Sequence, residues 1–69
     1  MSDKYIDMEG RELDIGDIVL VAVNNKKITK AKILGPHDYY RIEIITMPGN
    51  RRIERHSEDC YLIVKGSDV

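Results

Sequence analysis

Apolar and polar positions along this chain alternate in short blocks separated by turn residues. Asp17–Val23 is apolar at nearly every position, with Val19, Val21 and Val23 on one parity and Ile18, Leu20 and Ala22 on the other. Successive side chains of a strand point to opposite faces, so this strand is covered at least in part on both sides. Its β-branched content favours strand over helix. The polar turn Asn24-Asn25-Lys26-Lys27 leads into a return strand, Ile28–Leu34, where Thr29, Ala31 and Ile33 share one face and Ile28, Lys30, Lys32 and Leu34 the other. Lys30 and Lys32 therefore face solvent.

The same grammar continues. Gly35-Pro36-His37-Asp38 is a turn, because proline has no amide to give a ladder and presets φ. Tyr39–Thr46 is the third strand, with Tyr40, Ile42 and Ile44 inward and Arg41, Glu43 and Ile45 outward. Met47-Pro48-Gly49-Asn50 turns the chain into Arg51–His56, a charged strand anchored by Ile53 and suited to an edge. Ser57-Glu58-Asp59 forms one helical turn capped by the Ser57 hydroxyl, and Tyr61–Val64 closes the set. Upstream, Tyr5–Met8 and Arg11–Leu13 flank a tight turn at Gly10, which takes positive φ without steric cost. No segment shows the i, i+3, i+4 pattern of a helix. Short strands at about ten-residue spacing point to an all-β fold. The specific expectation is a five-stranded SH3-like antiparallel barrel over residues 5–65, with an N-terminal arm, a single helical turn before the last strand, a disordered stretch 1–4 and a loose tail 66–69.

The opening of the chain carries a resemblance. Asp7-Met8-Glu9-Gly10-Arg11-Glu12-Leu13-Asp14-Ile15-Gly16-Asp17-Ile18-Val19 fits D-x-x-G-x-x-L-x-x-G-D-x-V. It resembles the start of small SH3-like barrel proteins related to KOW and Tudor domains, common among short phage-encoded and bacterial open reading frames. The likeness extends in strand order over residues 6–64. It implies the barrel, and binding to nucleic acid, to ribosomal or transcription proteins, or to methylated side chains. It brings no catalytic residues.

With 69 residues the chain holds one domain. Its hydrophobic share of 42% and charged share of 33% are those of a globular protein. It has no apolar run near the roughly 18 residues of a membrane span, and MSDKYIDMEG has no apolar signal region. A single cysteine fits a reducing compartment, so a cytoplasmic location is expected. The net charge of −1 hides a segregation: residues 1–25 carry −4, residues 26–56 carry +5 and residues 57–69 carry −2.

The chemistry readable from residue types is sparse. Cys60 reads as a small buried apolar group, with His56 the nearest histidine in sequence. His37, His56 and Cys60 lack paired metal-ligand spacing. Glu9, Glu12, Asp14 and Asp17 lack the spacing of a calcium loop; Asp17 reads as a carboxylate that bonds backbone amides where the loop enters the strand. No enzyme, cofactor or metal is expected.

Two features suggest binding. Lys26, Lys27, Lys30, Lys32, Arg51, Arg52 and Arg55 would form a positive stripe if the fold brought them together, and tyrosines including Tyr39, Tyr40 and Tyr61 could stack bases beside it. Leu20, Ile28 and Ile45, with Ile18 and Leu34, share the parity opposite the main core. Where the N-terminal arm leaves them bare, they would meet a partner or a second copy of the chain. The leading expectation is a non-enzymatic interaction module, a small accessory or regulatory protein that binds a larger protein. A KOW-like nucleic-acid binder is the alternative.

Overall fold

Alternation and turn chemistry determine the strands observed. The computed structural model describes residues 5–47 and 49–68, with Asp68 as backbone alone. The strands are β1 (Tyr5–Ile6), β2 (Glu12–Leu13), β3 (Ile18–Asn24), β4 (Lys27–Pro36), β5 (Arg41–Met47), β6 (Arg52–His56) and β7 (Cys60–Val64). Ser57–Asp59 and Gly66–Asp68 each form a 3₁₀ turn. β1 and β2 make a two-stranded hairpin, and the rest form one antiparallel sheet in the order β6-β5-β4-β3-β7. Among the described residues no helix is long and apolar enough to cross a membrane.

Register aligns the core. Val19 lies opposite Ala31 and Leu62, Val21 opposite Cys60, and Ile44 between Ile33 and Ile53. Val19, Val21, Ala31, Ile33, Ile42, Ile44, Cys60 and Leu62 thus form one buried face, joined by Leu13 from the hairpin, with Tyr5 and Ile53 against it. Each large aliphatic side chain here contributes about 1.5–3 kcal/mol of burial.

The sheet is not a closed barrel. Among the described residues no ladder joins β6 to β7. The half-buried positions of β6 are Ile53 and Arg55, and a guanidinium group cannot be sealed against an apolar strand without losing hydration. A side chain spans the seam instead. Arg55 donates from Nε to Ala22 O (3.2 Å), from Nη2 to Val23 O (3.2 Å) and from Nη1 to Glu54 O (2.7 Å). The register shift between Ala22 and Asn24 lies where those carbonyls are taken up.

The far edge of β7 is covered by the hairpin turn. Met8 N donates to Cys60 O at 2.9 Å, and Leu62 N donates to Asp7 Oδ2 at 2.9 Å. Asp7 also accepts from the amides of Glu9 and Arg11 and from the Arg11 guanidinium. Asp17 plays the same part at the other end of the arm. Its carboxylate accepts from Asp14 N (2.8 Å), Gly66 N (2.7 Å) and Lys65 Nζ (2.8 Å). Both aspartates are buried. Burial by itself would raise their pKa values, but these donors outweigh it and hold both below the ordinary aspartate value.

Two local expectations are corrected. Tyr40 does not face inward. The Asp38 carboxylate accepts from Tyr40 N and Arg41 N, which holds the turn open until Arg41 and leaves Tyr40 outside the strand. The 3₁₀ turn at Ser57 has no side-chain cap; Ser57 is itself buried within it. Gly66 packs closely on the loop before β3: an added Cβ would lie 2.9 Å from the Gly16 carbonyl carbon. Residues 1–4, expected to be disordered, and Val69 lie outside the described residues.

Because the folded pKa values of Asp7 and Asp17 lie below the 3.8 of a free aspartate, their stabilisation is complete above that value and is lost as pH falls through and below it. Urea unfolding is expected to show stability falling from about pH 5 to about pH 3, with Asp7→Asn costing about 3 kcal/mol at neutral pH and flattening that slope. Flat wild-type stability over this interval would contradict the assignment. Gly66→Ala is expected to cost about 1–3 kcal/mol by the same measurement.

Candidate functional site

The solvent side of the sheet is unusually apolar. Alternation turns Ile18, Leu20, Lys30, Lys32, Ile45 and Met47 away from the core. Register then sets two cross-strand rows, Tyr61–Leu20–Lys30–Met47 and Val64–Ile18–Lys32–Ile45–Arg52. An irregularity in the β3–β7 register pairs Ile18 with Val64 but Val19 with Leu62, so Ile63 is the extra residue. Ile15, Ile18, Lys30, Lys32, Met47, Ile63 and Val64 line an open cleft of about 640 Å³ on this face. The N-terminal hairpin does not cover it, because Leu13 and Tyr5 are drawn to the core on the other side. Ile15 reaches its rim and stays 69% exposed.

The expected apolar patch is therefore redrawn. Leu20 and Ile45 lie half-buried within the rows, while Ile28 sits opposite Ala22 near the β3–β4 turn, outside the cleft and 68% exposed. Ile15, Met47, Ile63 and Val64 complete the surface. Residue parity could have found Ile63, which shares its parity with Tyr61. The pairing of β7 with β3, and hence its place beside Ile18, is not a local property of the sequence.

The basic set is divided by the sheet. Lys30 and Lys32 stand on the outer face with no ion pair among the described residues, and Arg52 approaches Glu43 (3.9 Å) at its rim. Lys27, Arg51 and Arg55 face the other way. They line a second cleft of about 420 Å³ at the open seam with Val23, Asn24, Thr29, Thr46 and Ile53. Lys26 lies in the β3–β4 turn, where its amide donates to Asn24 Oδ1 (2.8 Å).

Nor do Tyr39 and Tyr40 interleave with these cations. Tyr39 and Tyr40 sit on the β4–β5 turn, at the end of the sheet opposite Lys27 and Arg51, and are 94% and 70% exposed. That turn is held firmly. His37 N and Asp38 N donate to Arg41 O, the Tyr5 hydroxyl donates to Asp38 O, and Arg41 is paired with the Asp38 carboxylate. The Arg41 guanidinium and the Tyr40 and Arg41 amides hold the Asp38 carboxyl well below the usual range. Tyr40 stacks on His56 with centroids 6.2 Å apart. Tyr61 lies under the Arg11 guanidinium, 4.6 Å from its ring centroid.

Cys60 lies wholly in the core, and its thiol donates to the His56 carbonyl rather than meeting the imidazole as a base (3.6 Å). Burial, with Asp59's charge beside it, pushes the thiol up to about 11. Searches of known protein families, characterised proteins and solved structures find no match to this chain.

A thiol in this state is protonated at neutral pH. Labelling of the native protein by a thiol reagent is expected to run about a hundredfold or more slower than that of the urea-unfolded chain. Equal rates would place Cys60 outside the core.

Proposed function

We propose that this protein is a non-enzymatic interaction module, a small accessory or regulatory protein whose outer sheet face docks an acidic, apolar segment of a larger protein. The observation that carries the reading is the open cleft lined by Ile18, Met47, Ile63 and Val64 with two unneutralised lysines set into it. Apolar side chains of this number on one face lose water favourably against a partner. Lys30 and Lys32 add direction. Burying an ammonium group without a counter-charge is costly, so the complementary segment carries Asp or Glu between its apolar anchors. A second copy meeting this face about a two-fold axis would set Lys30 and Lys32 against their own counterparts, which disfavours a symmetric dimer.

The SH3-like reading belongs with this proposal. A meander in which the last strand returns to pair with the first long one, preceded by one 3₁₀ turn, supports it. The nucleic-acid reading has less support, since its basic residues lie on two faces and Tyr39 and Tyr40 at a third place.

Affinity capture from the source cells, using wild type, Ile63→Asp and Lys30→Glu/Lys32→Glu as parallel baits, tests the proposal. The expected partner is retained by wild type and lost from both variants, and its purified acidic segment binds the variants about tenfold or more weakly in calorimetry. Equal retention of every captured protein by all three baits would overturn the reading.

A further inference from the structure

The cleft at the open seam lies on the other side of the sheet from this docking face and is charged in a way the docking face does not explain. Lys27, Arg51 and Arg55 converge on it, and no carboxylate lines it among the described residues. None of the three makes an ion pair with a described carboxylate. Three like charges brought together without a counter-ion repel one another, and an anion in the cleft relieves that repulsion.

The groups are also preorganised. Arg55 commits three of its N–H groups to the carbonyls of Ala22, Val23 and Glu54. Those carbonyls fix the guanidinium but do not neutralise it, and two of its five N–H groups remain. Arg51 is pinned by its backbone: its amide donates to Thr46 Oγ1 (3.0 Å), and its carbonyl accepts from Thr46 N (2.8 Å). The turn that sets it there uses left-handed Gly49 and Asn50. Thr46 is only 5% exposed, and its hydroxyl, already an acceptor for Arg51, gives its own proton to no described group. Asn24 accepts Lys26 N through Oδ1, which leaves its amide N–H groups as donors beside the cleft.

We infer that this cleft binds a small phosphomonoester, its dianionic phosphate held by Lys27, Arg51 and Arg55 and its organic body lying against Val23 and Ile53. A compact ligand follows from the distribution of charge. A nucleic-acid strand needs phosphate contacts along a path, whereas Lys30, Lys32 and Arg52 lie on the opposite face of the sheet and cannot extend one from here. The volume, about 420 Å³, exceeds what a lone phosphate fills, and its remaining walls include two aliphatic side chains.

The test is amide-detected NMR titration of the full chain with phenyl phosphate, inorganic phosphate and a short single-stranded DNA, at constant ionic strength. Saturable shifts at Asn24, Thr46, Gly49 and Arg51 with phenyl phosphate are expected, with affinity about tenfold above that of inorganic phosphate. Lys27→Gln and Arg51→Gln, both exposed positions, are expected to weaken binding about tenfold or more at unchanged melting temperature; Lys30→Gln/Lys32→Gln is expected to leave it unchanged. Arg55 is left intact in these variants because its side chain spans the seam. Absence of saturation by phenyl phosphate at about 10 mM would overturn the inference. Equal loss in the Lys30/Lys32 variant would do so too, and tighter binding of the DNA strand would replace it with a polymer site.

Discussion

Two buried carboxylates complete the hydrogen bonding that the strands leave open. Asp7 takes amides from its own turn and the amide of Leu62, so one side chain ties the N-terminal hairpin to the last strand. Asp17 does the same between the loop at Asp14 and the chain at Gly66. Taking an ion out of water costs several kcal/mol, and it is tolerated here because each carboxylate meets several donors, including a cation. Nine core residues among those described are a small apolar reserve for a chain of this length. Directional bonds at the edges supply what burial alone would leave loosely specified, namely which strand lies beside which and where the termini rest.

The seam follows from the same constraint. β6 turns one aliphatic side chain, Ile53, and one arginine, Arg55, toward the interior, which leaves little apolar surface to zip against β7. Arg55 answers by donating to backbone carbonyls of β3. The sheet is thereby held curled without being closed, and the open seam is where cations and a concave surface coincide.

The two faces of β4 illustrate how one strand serves two surfaces. Lys27 and Thr29 point into the seam cleft, and Lys30 and Lys32 into the apolar outer cleft. The tyrosine-bearing turn stands apart from both. It is a rigid projection, with Asp38 at its centre and the Tyr5 hydroxyl behind it.

What was legible in the sequence was local. Alternation fixed the long strands to within a few residues and placed Lys30 and Lys32 outward and Ile42 and Ile44 inward, while residue type marked Cys60 as a buried apolar group and Asp17 as a binder of backbone amides. Glycine chemistry marked the turn at Gly10, where φ is +80°. Other features depended on contacts between distant residues: Asp7 reaching Leu62, Arg55 spanning to Ala22 and Val23, Ile63 displaced beside Ile18, and the basic residues divided between two faces. Tyr40 is an intermediate case, its exposure set by an aspartate two residues away that outcompetes strand parity. Side-chain parity and turn preference are properties of a few neighbouring residues, so the chain states them openly. Which edges meet, and which charges then share a face, is decided only when the last strand selects its register against the first long one.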